Sequence, residues 1–249
     1  MSNKKLITIV TPNLNGGMYL EETIKSVICQ KNSLIEYIVV DGMSNDKSRI
    51  ILNKYKKKID KIIFQKDDSM YQAIDTGFKH SNAKYITWIN SDDLYYKNSL
   101  LKFVKIMDKN KISWANGVSS TLNNGKIKSI NFPYYFPRKL ILNGECHKSK
   151  YGFIPQESVI FTKKLFKKSN GFKLSKKIGG DFFLWKSFAK YENLVPINLK
   201  LGIFRKRKGQ LSENLNNYYI DIGIKYKKRR FNFLRIFYSF FYSITKYKI

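Results

Sequence analysis

The chain sets 18 acidic side chains against 47 lysines and arginines, so two adjacent carboxylates call for a chemical reason. Asp92 and Asp93 end the stretch WINSDD, directly after an apolar run. Hard oxygen ligands there suit a divalent cation, and such a cation suits a phosphate-bearing substrate. The same pair could equally cap a turn into the helix that starts near Asn98–Ser99. A third acid, Asp181, follows two glycines in GGDFFLW and opens an apolar stretch, a position that suits an N-cap. Cys29 and Cys146 fit no metal or disulfide spacing and read as reduced thiols of a cytosolic protein. His80 and His147 have no ligand spacing and read as surface groups, and Trp185 reads as core.

The elements that must position these residues follow from periodicity. LITIVTP (6–12) is a short apolar strand closed by proline, and Leu20, Ile24, Val27 and Ile28 then recur at helical spacing. IEYIVVDG (35–42) is a β-branched strand, and KIIF (61–64) is a weaker one. MYQAIDTGFKHS (70–81) is helical, AKYITWI (83–89) is a strand, LLKFVKIMDKN is a helix, and ISWANGV (112–118) is a further strand. This alternation predicts an α/β fold with a mostly parallel sheet covered on both faces. Ligands of such sheets bind outside the carboxyl ends of the strands. Thr11–Asn15, Asp41–Asp46 and Asn90–Asp93 therefore share one rim. Residues 119–155 lose the rhythm and read as turns and loops. ESVIFT (157–162) and DFFLWKSFAKY (181–191) return to strand and helix, and the chain reads as helical from about Asn214.

With 249 residues, 43% hydrophobic and 15% aromatic, the chain can pack one sizeable domain. No apolar run reaches the roughly 20 residues of a membrane-spanning helix. The basic and then apolar start leads into Pro12 and Asn13 and reads as a first strand rather than a signal peptide. The net charge of +29 is either a bias toward lysine or an attraction to a polyanion: nucleic acid, an anionic membrane face or phosphorylated substrates. A part of it gathers beyond Asp221, where eight Lys/Arg and no acids interleave with aromatics between Lys225 and Ile249. A basic aromatic helix there predicts either peripheral binding to anionic lipid or a packed helix with a solvated basic face.

The stretch QKDDSMYQAIDTGFKHSNAKYITWINSDD resembles a signature of the family 2 glycosyltransferases, which have the GT-A fold. ITIVTPNLNGGMYLEETIKSVICQ, YIVVDGMSNDKS, IPQESVIFTKKLFKKSNGF and GGDFFLW also resemble that family, in its order, from about Leu6 to Ala189. The resemblance implies an inverting enzyme that moves a sugar from a nucleotide-diphosphate-sugar, a UDP-sugar first among donors, to a glycan acceptor. By this resemblance Asn90-Ser91-Asp92 corresponds to the Asp-x-Asp motif, with Asp92 the principal ligand of Mn²⁺ or Mg²⁺ and Asp93 its neighbour or alternative. Asn90 stands where many relatives have an acid. Thr11, Pro12, Asn13 and Asn15 would lie against the nucleoside, and Asp41 would bind base or ribose. Asp67 would be a second nucleoside-side acid, and Arg205 and Ser212 would approach the diphosphate. Gln156 and Glu157 would line the acceptor side. Asp181 matches the acid that takes the acceptor hydroxyl's proton. Gly42, Ser69, Asp75 and Phe183 depart from the common pattern.

These readings together predict a GT-A domain over residues 1–213 and a basic aromatic helical segment over 214–249. The expected setting is the inner face of a bacterial cell membrane, where the enzyme is peripheral, and the expected acceptor is a glycan or lipid-linked glycan of capsule, O-antigen or lipooligosaccharide assembly. The rivals are a nucleic-acid-binding protein and an inactive family member acting as a binding partner. No RNA- or DNA-binding motif appears, so no nucleic-acid partner is expected.

Overall fold

The computed structural model of the chain describes residues 5–131, 134–148, 150–173, 176, 178–210, 213 and 215–225. Its first half builds the sheet from β1 (Ile7–Asn13), β2 (Ile35–Asp41), β3 (Lys61–Phe64) and β4 (Tyr85–Trp88). Helices α1 (Leu20–Ile28), α2 (Ser48–Tyr55) and α3 (Met70–His80) connect them. These four strands lie side by side in the order β3-β2-β1-β4, all parallel. β1 is buried along its whole length, which is why it reads as a continuous apolar run rather than an alternating one. Its residues still divide by parity. Ile7 and Ile9 pack with Ile35, Tyr37 and Val39 under α1 and α2, while Val10 packs with Ile38 and Val40 under α3. Helix α3 comes close because residue 77 is glycine: a Cβ there would sit 2.5 Å from Val10 Cγ1.

The second half reverses direction repeatedly. It comprises β5 (Leu94–Tyr95), α4 (Leu100–Lys109), β6 (Trp114–Asn123), β7 (Lys126–Asn131), α5 (Arg138–Leu142), a 3₁₀ turn at Gln156–Ser158, β8 (Val159–Thr162) and α6 (Lys163–Lys168). Then follow α7 (Gly180–Phe188), β9 (Val195–Lys206) and α8 (Leu215–Ile222). β8 runs antiparallel to both β4 and β6, β9 is parallel to β6, and β5 is antiparallel to β9. The α/β sheet is therefore parallel on its amino-terminal side and mixed beyond β4. Residues 119–131, expected as loop, form a hairpin instead. Asn124 and Gly125 take φ of 48° and 71° in the two-residue turn between β6 and β7, the left-handed pair that such hairpins favour.

The chain's three tryptophans form one stack in the core. Trp185 lies between Trp88 and Trp114, with ring centroids 5.8 and 5.6 Å away and interplanar angles of 19° and 24°. Trp185 is thus core, as its sequence context indicates. His147 is not a surface group. It is 2% exposed, with Nδ1 3.1 Å from the Tyr219 hydroxyl of α8, and burial lowers its pKa.

Candidate active site

Parallel register sets the first wall of the site. Asn13 and Asp41 are partners at the ends of β1 and β2, and Asn13 Nδ2 donates to Asp41 Oδ2 at 2.7 Å. Asp41 also accepts from the Ser44 amide and hydroxyl, each at 2.8 Å. Its carboxylate is fully buried and shapes the 42–46 loop rather than opening into the cavity. Asn15, at φ 53°, accepts from the Asn45 amide and ties the two loops together. The Thr11 hydroxyl is turned away from the cavity, to Tyr37 at 3.0 Å. Pro12, Asn13, Leu14 and Gly42 are the parts of this wall that line the cavity, which has a volume of about 740 Å³.

The turn after β4 supplies the charged part. Asp93 is 1% exposed. It accepts from the Arg205 amide at 2.8 Å and from Asn90 Nδ2 at 3.2 Å, and burial, then the charges of Asp92 and Glu157, hold its carboxyl well above the usual range. Asp93 therefore braces the turn while also lining the cavity wall. Arg205 grips the same turn from outside the cavity. Its Nε donates to the Asp92 carbonyl at 2.8 Å, its Nη2 pairs with Glu22 at 2.7 Å, and its guanidinium lies 4.5 Å from the Tyr19 ring centroid. Asp92 instead faces the cavity, where Arg207 Nε meets its Oδ2 at 2.7 Å. Arg207 is a residue that the sequence reading missed, two positions beyond the arginine it chose. Ser91 also lines the cavity, and Ser212 lies outside the described residues.

Among the described residues no three His, Cys, Asp or Glu side chains gather as a metal cluster. A divalent cation still fits here on chemistry. Asp92 offers a carboxylate, and Asn90 Oδ1 is a buried oxygen without a partner. A hard cation takes such ligands and completes its shell with phosphate oxygens and water.

The remaining wall holds the other acids. Asp181 is the second residue of α7, whose N-cap is Gly179, so the N-cap role does not fall to Asp181. Its Oδ1 accepts from the Phe182 amide at 2.8 Å and lies 3.3 Å from the Tyr71 hydroxyl, which is 2.8 Å from the Ile178 carbonyl. Burial raises the Asp181 pKa to about 6 against the pull of those donors. The start of α7 is fixed from α8. Asp221 Oδ2 accepts from the Gly179 amide at 2.7 Å and from that of Ile178 at 3.2 Å, and Ile222 occupies the space that a Cβ on Gly179 would need. Residues 215–222, the start of the segment that the sequence assigns to a carboxyl-terminal helical appendage, pack on the domain and reach its site. Gln156 donates to the Trp88 carbonyl at 2.8 Å, and Glu157, 5% exposed, accepts from the Ser119 hydroxyl. Asp67 accepts from Gln65 through Oδ1, its Oδ2 is buried without a partner, and burial raises its pKa. Gln156, Glu157, Asp67, Asn90 and Asp181 all line the one cavity.

A curled α/β sheet with a cavity at the carboxyl ends of its parallel strands is the GT-A-like glycosyltransferase arrangement. The profile of "Glycosyl transferase family 2" matches residues 8–168, and the chain belongs to that family. It is 25% identical over 214 residues to the Escherichia coli "UDP-Glc:alpha-D-GlcNAc-diphosphoundecaprenol beta-1,3-glucosyltransferase WfgD", covering 86% of this chain and 81% of that one. It is 34% identical over 104 residues to an uncharacterized glycosyltransferase of Rickettsia typhi, covering 42% of this chain and 32% of that protein. The match thus spans about a third of that relative's length. The crystal structure of S. aureus TarS 1-349 in complex with UDP-GlcNAc has the same fold, with a TM-score of 0.68 at 16% identity, over 87% of this chain and 64% of that one.

Proposed function

We propose that the chain transfers a sugar from a UDP-sugar to a glycan acceptor, with inversion at the anomeric carbon. The observation that carries this reading is the meeting of two unlike groups in one cavity. Asp92, in the turn after β4, and Arg207, just past the end of β9, present paired charge on one wall, and Asp181, with its raised pKa, opens from α7. Inversion needs a single carboxylate to remove the acceptor hydroxyl's proton, and Asp181 has the basicity for that task near neutral pH. Negative charge develops on the departing diphosphate and needs cationic neighbours that are already in place. The Arg207 guanidinium is one. A divalent cation held by Asp92 and Asn90 Oδ1 would, when bound, neutralise more of that charge. Asn13, Pro12 and Asp67 are the nucleoside-side contacts of this reading. Gln156 and Glu157 are its acceptor-side contacts, and Thr11, Asn15, Asp41, Asp93 and Arg205 hold the loops that carry the others.

The acceptor is proposed to be a lipid-linked glycan of surface-polysaccharide assembly. Support comes from the E. coli relative, whose name specifies a diphosphoundecaprenol-linked acceptor. Among the described residues no helix is long and apolar enough to cross a membrane. Attachment to the inner membrane face would then rest on the basic aromatic tail, which lies outside the described residues from 226 onward. The direct test incubates the full chain with UDP-glucose, UDP-galactose and UDP-GlcNAc, Mn²⁺ or Mg²⁺, and a lipid-linked sugar. UDP release and the anomeric configuration of the product are followed by NMR. Failure to consume any sugar nucleotide, or a product of retained configuration, overturns the proposal.

A further inference from the structure

Helix α8 makes two kinds of contact. Tyr219 and Ile222 are buried against Phe182, and Asp221 holds the amides that precede α7. Leu215 and Tyr218 pack on the edge of that cluster and also line the cavity. Tyr218 meets Phe153 edge-on, with ring centroids 5.2 Å apart and planes at 89°, and Phe153 lines the cavity too while remaining 36% exposed. Burial first, then the neighbouring Asp181 carboxylate, push the Tyr218 hydroxyl well above its ordinary pKa. The aromatic pair and the raised carboxylate are therefore neighbours in one space.

That pairing has a chemical meaning. A diphosphate needs donors and cations, which Arg207 and the Asn90–Asp92 turn provide, and it gains nothing from two aromatic faces. A pyranose ring has one face of C–H groups that lies against aromatic carbon, and an edge of hydroxyls that seeks polar groups. We infer that α8 supplies the acceptor subsite: the acceptor's terminal sugar ring lies against Tyr218 and Phe153 and presents a hydroxyl to Asp181. The inference rests on the reading of Asp181 as the proton acceptor in sugar transfer. It also gives the clamp at Asp221 a purpose, since the same helix that carries the aromatic wall fixes the start of the helix that carries the base.

The test measures sugar binding without turnover. Saturation-transfer NMR is run on the full chain saturated with UDP, using the methyl β-glycosides of glucose, galactose and N-acetylglucosamine as probes. UDP affinity is measured calorimetrically on the same samples. At least one glycoside should receive saturation on its ring C–H protons. Tyr218→Ala and Phe153→Ala should each weaken that binding about ten-fold, Tyr218→Phe should keep it, and UDP affinity should stay within two-fold in all three. Phe153, exposed over more than a third of its surface, provides a variant whose fold is less at risk. Glycoside binding unchanged in both alanine variants, or absent from the wild-type chain, overturns the inference. A wild-type chain that binds glycosides but no UDP would overturn the proposed donor reaction and leave the subsite standing.

Discussion

Asp181 holds its proton more tightly than a surface carboxylate, because burial outweighs the donors from Phe182 and Tyr71. Activity should therefore rise with pH through about 6 and level off above it, in a kcat profile taken at saturating donor. The effect on stability has the opposite sign. A carboxyl whose folded pKa is raised from 3.8 to about 6 favours the folded state fully below pH 4, and that contribution is lost as pH climbs through 6. Asp181→Asn keeps an oxygen for both donors. It should cut turnover about 10²-fold or more, leave donor affinity within a few-fold, and raise stability at pH 7.5 by about 1–3 kcal/mol, read as a higher denaturation midpoint. A lowered midpoint would show that the charge is needed for the fold. Arg207 makes the contrasting case. Its pair with Asp92 is partly exposed, so Arg207→Ala should change stability by less than about 1 kcal/mol while weakening UDP binding about ten-fold. Asp92→Ala should weaken it similarly, and EDTA should lower affinity in the wild type with no further effect in that variant. A full EDTA effect in the variant would move the cation elsewhere. Asp92 and Asp181 were legible in the sequence because each sits at the edge of an apolar element. The choice between Arg205 and Arg207 was not: they lie two residues apart at the end of β9, and only their contacts, Arg205 with the Asp92 carbonyl and Glu22 and Arg207 with the Asp92 carboxylate, show which one enters the cavity.

Helix α8 shows what local pattern reading leaves out. Its role depends on contacts to residues about 40 to 70 positions earlier, Gly179 and His147 among them. Periodicity within α8 says that a helix forms, not where it docks. The β6–β7 hairpin is a different failure. Asn124-Gly125 is a strong turn signal, but the preceding Ser119 and Ser120 are polar although buried, so the strand did not stand out. The alternation of Ile197, Leu199, Leu201 and Ile203 in β9 is readable, whereas its parallel partner β6 is set by tertiary packing. Asp221→Ala should remove two charge-assisted hydrogen bonds and lower stability by about 2 kcal/mol. Turnover should fall further than donor affinity, with Asp221→Asn recovering part of both. Equal losses in kcat and in UDP binding would make the contact purely structural. Acid should loosen the same dock. The pKa of His147 is lowered in the folded state, so its contribution is complete above its unfolded pKa near 6.5 and declines as pH falls through the folded value. Protection factors of α8 amides, corrected for the intrinsic pH dependence of exchange, should fall between pH 7 and pH 5 in the wild type, and His147→Gln should remove that fall.

At the scale of the molecule, the +29 charge has no task inside a cavity whose charged wall is one arginine against several acids. The eight cations between Lys225 and Ile249 could each contribute about 1 kcal/mol beside an anionic leaflet, less as salt shortens the Debye length. The full chain should sediment with vesicles containing anionic lipid in low salt and be partly released at higher salt. Truncation belongs after Lys225 rather than before α8, because Asp221 and Ile222 support α7. The truncated protein should stay in solution and bind UDP as the full chain does. Vesicle binding equal to that of the full chain would move the anchor to the folded domain. Retention on duplex DNA with the salt dependence of phosphate contacts would instead revive the nucleic-acid reading.

The tryptophan stack makes the protein its own optical reporter. All three indoles lie within one nearly parallel column, close enough for their excited states to mix, and Trp88 at one end also borders the cavity. The folded chain should show near-ultraviolet dichroism from these fixed indoles, which Trp185→Phe weakens while leaving two separated emitters. A nucleotide or sugar entering beside Trp88 would perturb the whole column, so its arrival can be followed by intrinsic emission without a label.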